Sequence, residues 1–166
     1  KTDGAGNLSF TNFDLNALSD ILAENNSYYF GTNPTSTNNA EYNSAFGKDS
    51  LLSITTGDYN TAIGGLSNTT NQTGNQNTSV GYRSLYLNTA SNNTAIGYLS
   101  GDKITTGAGN TLIGNNADTS AANSSNEIVI GSDAVGQGNN IAVIGDQNIT
   151  NICSGSDNIA SLGSSS

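Results

Sequence analysis

Asn60-Thr-Ala-Ile-Gly64 is the stretch that decides the fold, because closely similar phrases return along most of the chain. The clear copies are Asn43-Ser-Ala-Phe-Gly47, Asn60-Thr-Ala-Ile-Gly64, Asn77-Thr-Ser-Val-Gly81, Asn93-Thr-Ala-Ile-Gly97 and Asn110-Thr-Leu-Ile-Gly114. Two degenerate copies end at Gly131 and Gly145, and the successive glycines are 17, 17, 16, 17, 17 and 14 residues apart. A fixed period of this kind indicates a stack of small units that bury their apolar faces against each other.

Each phrase has the composition of a short strand that ends at its glycine. The residue before the glycine is apolar and mostly β-branched: Phe46, Ile63, Val80, Ile96, Ile113, Ile130 and Ile144. The residue one position earlier lies on the opposite face, because side chains alternate along a strand. It is small or apolar in every copy: Ala45, Ala62, Ser79, Ala95, Leu112, Val129 and Val143. Both faces of the strand are therefore expected to be buried, which is unusual for a thin solenoid.

We predict that the residues before the glycines point into the coil and that the Ala/Leu/Val positions face an axis shared by several chains. A homotrimer is favoured over a monomer. The segments after the glycines, such as Tyr82-Arg-Ser-Leu85, are predicted to be outer strands in which one leucine fixes the coil. The asparagines that open the phrases are expected to stack as an amide ladder between coils.

The sequence divides into a connector or cap over residues 1–40, a repeat region of about seven coils over residues 41–148, and an exit segment over residues 149–166. In the cap, Leu15, Leu18 and Leu22 follow Asp14 at helical spacing, which predicts a short helix or turn. Asp3-Gly-Ala-Gly-Asn7 is interpreted as a turn rather than a calcium loop, because a closing glutamate is missing.

Composition narrows the function further. Of the 166 residues, 34% are hydrophobic, too few for a large globular core, and the formal net charge is −9 with no histidine. An acidic surface disfavours nucleic acid, and no apolar run is long enough for insertion into a membrane. The single cysteine, Cys153, excludes an intrachain disulfide and is interpreted as a small buried hydrophobe, with an interchain contact as the alternative.

The phrase Asn93-Thr-Ala-Ile-Gly-Tyr98 followed by Leu99 resembles repeats of bacteriophage tail fibres and the head repeats of YadA-type trimeric autotransporter adhesins. The opening Lys1–Phe10 and the closing Ser161–Ser166 are similar to the flanks of such repeats in phage fibres. The resemblance implies a trimeric left-handed parallel β-roll used for attachment, with no cofactor, metal or catalytic residue. It departs from the adhesin heads in one respect, because their repeats are nearer the 14-residue interval found only at the end of this series.

The leading hypothesis is a structural and adhesive segment of a trimeric phage tail fibre, located in the virion and bound to a cell-surface glycan or protein. The head of a bacterial surface adhesin is the alternative, which would place the chain outside the cell. Candidate receptor contacts are Tyr59, Tyr82, Arg83, Tyr86 and Tyr98, since aromatic residues and arginine dominate interface hot spots. A simpler explanation is that these tyrosines only cover the flank of the coil.

Two other classes remain. A monomeric ligand- or ice-binding solenoid needs a flat exposed array of threonines, but the column Thr61, Thr78, Thr94 and Thr111 shares a strand face with the isoleucines expected in the core. An enzyme is disfavoured, because the carboxylates are scattered and belong to no motif: Asp102, Asp118, Glu127, Asp133 and Asp146. An isopeptide cross-link through Lys48 or Lys103 has no motif support.

Overall fold

A computed structural model describes residues 21–146, 148 and 149, which form nine strands and no helix. The strands are β1 (Ile21–Glu24), β2 (Ser27–Gly31), β3 (Ser44–Gly47), β4 (Thr61–Ile63), β5 (Thr78–Val80), β6 (Thr94–Ile96), β7 (Thr111–Ile113), β8 (Ile128–Ile130) and β9 (Ala142–Ile144). From β2 to β9 they pair in parallel and in sequence order. Eight such strands joined by seven connections make a solenoid of about seven turns, so the prediction of an all-β parallel solenoid is confirmed.

The repeat register of the sequence is the pairing register of the sheet. Ala62 is opposite Ser79, for example, and Ile63 is opposite Val80. The glycine that ends each phrase is required by this stacking. Gly64 has a φ of +127°, and a Cβ there would lie 2.5 Å from the carbonyl oxygen of Gly81 in the next coil.

The segments after the glycines are turns, so the prediction of outer strands is wrong. Leu51, Leu66, Leu85 and Leu99 all have a φ between 49° and 58°, in the left-handed region that ends a strand. After Gly47, Gly64, Gly81 and Gly97 the chain turns through left-handed residues two and four positions later, whereas after Gly114 and Gly131 only the second position is left-handed. The prediction that one leucine fixes the coil holds for Leu85, which is completely buried, but Leu66 and Leu99 are only partly buried. In the first coil Leu51 is completely buried in the same way.

The assignment of the two strand faces is also wrong. The inner column, defined as Ala45, Ala62, Ser79, Ala95, Leu112, Val129 and Val143, faces the inside of the coil, and its members up to Val129 are at most 3% exposed. The outer column, defined as Phe46, Ile63, Val80, Ile96, Ile113, Ile130 and Ile144, faces away from the coil. The physical reason is space, because the turns send large side chains such as Leu85 and Ile104 into a narrow interior and leave room there for small strand residues.

The amide ladder is confirmed. Asn43, Asn60, Asn77, Asn93 and Asn110 are buried one above the other. The side-chain oxygen of Asn93 accepts the backbone N–H of Asn110 at 3.0 Å and its side-chain N–H at 3.1 Å. The Asn93 amide in turn donates to the carbonyl oxygen of Gly107 at 2.8 Å. Each rung thus satisfies a strand and a turn of the coil, as buried polar groups require.

Two apolar clusters fill the interior on either side of a polar layer. The first cluster contains Tyr29, Ala40, Ala45, Leu51, Ile54 and Ala62. The second contains Leu85, Ala95, Ile104, Leu112, Ala117, Val129 and Ala134. Between them lie fully buried polar residues, among which Ser67 donates to the Ser79 hydroxyl at 2.7 Å and Asn88 donates to Asn68 at 3.3 Å.

A hairpin begins the described part of the solenoid. β1 pairs antiparallel with β2 across Asn25 and Asn26, whose φ values of 47° and 58° are those of a type I′ turn. The helix predicted from Asp14 is contradicted over Ile21–Ala23, which belong to β1, and its earlier part lies outside the described residues. The predictions for Asp3–Asn7 and Cys153 also lie outside them. In β2, Tyr29 is buried in the first apolar cluster, whereas its neighbour Tyr28 is exposed.

Candidate interaction surface

The outer face of strands β2 to β9 is a continuous uncharged surface. It combines the outer column with the residues two positions earlier, which include the hydroxyl column of Thr61, Thr78, Thr94 and Thr111. At a strand spacing of about 4.8 Å, eight strands extend this face over roughly 34 Å. The sequence places no Asp, Glu, Lys or Arg in either set of positions.

Large apolar side chains are unusually exposed on the outer face. Phe46 is 63% exposed, Ile63 is 45% exposed and Ile144 is 50% exposed. Contiguous exposed apolar surface of this kind marks an interaction site rather than ordinary surface. At the end near β2 the face forms a shallow groove of about 410 Å³, lined by Tyr28, Phe30, Ser44, Ala45, Phe46 and Ile63.

The hydroxyl column is half-buried beside the isoleucines. Its members are opposite each other in register, as Thr61 with Thr78 and Thr94 with Thr111. The reason given above against an exposed threonine array is therefore wrong, because the isoleucines that share its face are not in the core.

Stacked tyrosines border the outer face at both ends of its strands. Tyr42 and Tyr59, just before the strands, stack with centroids 5.0 Å apart and planes 3° apart. Tyr82 and Tyr98, just after the strands, stack at 5.7 Å and 17°. Both pairs are about half exposed and follow the spacing of the coils. Tyr42 was missed by the sequence analysis, although it occupies the same position of the repeat as Tyr59.

The candidate receptor contacts therefore do not form one site. Tyr59 is on the border before the strands, whereas Tyr82, Arg83, Tyr86 and Tyr98 lie on the side of the turns. There the Arg83 guanidinium lies 4.4 Å from the centre of the Tyr86 ring, and its Nη2 is 3.9 Å from the Asp102 carboxylate. Arg83 thus holds one exposed corner of the coil together, in addition to any contact it makes with a partner.

The carboxylates that we considered for catalysis have structural partners. Glu127 ends the amide ladder, where its fully buried carboxylate accepts the N–H of Ser120 at 3.0 Å and of Gly138 at 2.9 Å. The buried carboxylate of Asp118 lies 3.1 Å from the Lys103 ammonium. Burial raises the pKa of Asp118 above its ordinary value, while Lys103 opposes that change.

Within the part of the chain that the structure describes, no three acidic or cysteine side chains are grouped as a metal site would require. The described residues also include no helix that could span a membrane. Comparison with protein families, with curated proteins and with solved structures finds no significant match for this chain.

Proposed function

We propose that this chain is a segment of a trimeric fibre, most simply a bacteriophage tail fibre in the virion, that attaches to a host cell surface. In this proposal three chains wound as left-handed β-rolls pack their outer faces around a common axis. The head of a bacterial trimeric adhesin is the same architecture in a different setting. The proposal assigns no catalytic residue and no cofactor.

The observation that carries the proposal is the exposed outer column. Its aliphatic and aromatic side chains repeat in every coil, although the inside of the coil is already filled by the inner column. Burying apolar surface is worth about 25 cal/mol per Å². A face about 34 Å long that holds such residues in register is well suited to a lengthwise contact between identical chains.

Attachment would then be multivalent. A trimer presents each tyrosine border three times, so weak individual contacts with a glycan or protein receptor gain avidity. The receptor contacts are drawn from the exposed tyrosines at the borders, because these can remain accessible when the outer face is covered.

Light scattering after size exclusion tests the proposal. The wild-type chain is expected to have a mass of about 51 kDa, three times the 16.9 kDa of one chain. Replacing Ile96 and Ile113 by lysine puts charges on the outer face and should give a folded 16.9 kDa monomer. Lysine at the exposed turn residues Gln72 and Thr73 adds the same charge elsewhere and should leave the trimer intact. A wild-type monomer would contradict the proposal.

A second candidate function is favoured by the hydroxyl column. An ice-binding solenoid requires a regular array of exposed threonines, and the hydroxyl column is half exposed and in register on a parallel sheet. Thermal hysteresis measured on a monomeric wild-type chain, and lost when Thr78 is replaced by tyrosine, would favour this function over the fibre. A trimer without thermal hysteresis would exclude it.

A further inference from the structure

Gly65 differs from every other glycine in the described part of the chain. Its φ lies outside the left-handed region, and a Cβ there would meet only ordinary contacts, 3.6 Å from the Tyr82 ring and 3.8 Å from the carbonyl oxygen of Lys48. Each of the others either has a φ between +20° and +160° or would bring a Cβ within 3.0 Å of another atom. Neither the backbone nor crowding therefore requires glycine at position 65.

The absence of a side chain at Gly65 interrupts a row on the surface. From Gly47 to Gly114, the first residue after each strand-ending glycine lies at the same corner of its coil, and this row runs Lys48, Gly65, Tyr82, Tyr98 and Asn115. Within it, Tyr98 stacks on one face of the Tyr82 ring at 5.7 Å. Gly65 belongs to the coil on the other side and has no side chain to cover the second face of that ring. We call the space that a side chain at position 65 would occupy the slot. Lys48 and Tyr82 are two coils apart, about 10 Å, which leaves room for one flat ring at the normal coil spacing.

We infer that this slot, bounded by Lys48, Gly65 and Tyr82, binds one neutral pyranose ring of a cell-surface glycan. The inference rests on the proposed attachment function and names the receptor class and the place where it binds. A pyranose has a face of C–H groups that packs on an aromatic ring, and its equatorial hydroxyls project sideways toward polar groups. Tyr82 supplies the ring, and the exposed Lys48 ammonium supplies hydrogen-bond donors for the hydroxyls.

Charge favours a neutral sugar over an acidic one. The chain carries a net charge of −9, which repels anionic glycans, and Arg83, the residue after Tyr82, lies beside Asp102. A ring from an aromatic side chain of a second copy would also fit the slot by size. That alternative predicts a change in assembly rather than in glycan binding, so it can be separated by experiment.

The test is binding of the fluorescently labelled full chain to a printed array of neutral and acidic oligosaccharides. Wild type is expected to bind a set of neutral glycans. Gly65→Leu fills the slot and Tyr82→Ala removes its wall, so each should weaken binding to those glycans by about tenfold or more, as loss of a hot spot does. Gln72→Ala changes an exposed turn residue outside both tyrosine borders and should retain binding. Gly65→Ala, measured for thermal stability, shows that a side chain is tolerated there.

The outcomes separate the inference from the proposed function. A wild-type trimer that binds no neutral glycan, or whose binding survives Gly65→Leu, overturns the slot and leaves the fibre proposal standing. A change in the mass of the Gly65→Leu particle by light scattering assigns the slot to contact between copies and also overturns it. A monomeric wild type that binds glycans through Tyr82 contradicts the fibre and retains the slot.

Discussion

The inner and outer faces of the same strands differ in the size of their side chains. Inside the coil the strand residues are mostly as small as Ala62 and Ala95, whereas the outer face carries Ile63 and Ile96 at the neighbouring positions of the same phrases. The inside is narrow and is shared with leucines and isoleucines from the turns. The outside has no such limit. Where the two adjacent strand residues of a phrase differ in size, therefore, the larger one lies on the exposed face rather than in the core.

The two faces also treat polar groups differently. Inside, buried amides and hydroxyls bond to each other and to the backbone, as in the ladder through Asn93 and the pair of Ser67 with Ser79. Outside, the hydroxyl column lies beside isoleucines without any charged neighbour in its face. The polar groups inside are thus mostly paired within the chain, whereas the outside leaves apolar surface exposed.

Replacing Gly64 by alanine should have the largest effect, because it disturbs the register that both faces share. The new Cβ would lie 2.5 Å from the carbonyl oxygen of Gly81, at a φ of +127° that side chains rarely adopt. We expect a loss of about 4 kcal/mol or more in the free energy of unfolding, measured by urea denaturation. The neighbouring Gly65→Ala is the matched control and should be nearly neutral. Equal effects of the two variants would contradict the close approach of the coils.

Leu112 and Ile113 are adjacent and of equal size, so they compare the two faces directly. Leu112→Ala leaves a cavity in the second apolar cluster and should cost about 3 kcal/mol at every protein concentration. Ile113 is 37% exposed in the single chain. Its replacement by alanine should instead weaken association, which appears as a stronger dependence of the melting temperature on concentration. Indistinguishable behaviour of the two variants would remove the distinction between a core face and a contact face.

Among the polar residues of the inner face, we expect substitutions in the amide ladder to lower stability most. Asn93→Ala removes the acceptor of the Asn110 backbone N–H and the donor to the Gly107 carbonyl. Leaving those groups buried and unpaired should lower the free energy of unfolding by roughly 2 kcal/mol. Asn115→Ala at an exposed corner is the control and should change stability little. A neutral Asn93→Ala would show that water replaces the ladder.

Sequence alone predicts the solenoid, the strand register and the ladder, because all three depend on the period of the glycines and asparagines. It does not predict which strand face is inside when the size of the apolar residues is the only guide. A better signal is the alternation of side chains along the strand. Asn60 and Ala62 are two positions apart and therefore share a face, so a buried asparagine ladder places the inner column inside the coil.

The turns were mistaken for strands for a different reason. Leu66 and Leu99 have left-handed backbones, which leucine rarely adopts, so their residue types give no sign of the turn. The two tyrosine borders could be predicted in part, since Tyr82 and Tyr98 occupy equivalent positions. The partners of Arg83 and Asp118 depend on the packing of neighbouring coils, which the repeat does not specify in detail.

The smallest expected effect is a pH dependence of the free energy of unfolding. It arises from Asp118, a buried carboxylate on the inner side of the turns. Burial raises its pKa above 3.8, with Lys103 opposing the change. The folded state therefore holds the proton more tightly than the unfolded chain does. The contribution of Asp118 to the free energy of unfolding is greatest below the unfolded pKa and falls as pH rises through the folded pKa.

Asp118→Asn lacks this titration and keeps an oxygen for the Thr119 N–H, which Asp118 accepts at 2.9 Å. Urea denaturation at several pH values in the acid range measures this effect. The free energy of unfolding of the variant, relative to that of wild type, should increase as the pH rises toward neutrality. Lys103→Met removes the opposing cation and should make the decline of stability steeper. If the difference between Asp118→Asn and wild type is the same at every pH, Asp118 titrates alike in both states. The Lys103 ion pair then compensates fully for its burial, and a charge on the inner side carries no more penalty than one on the outside.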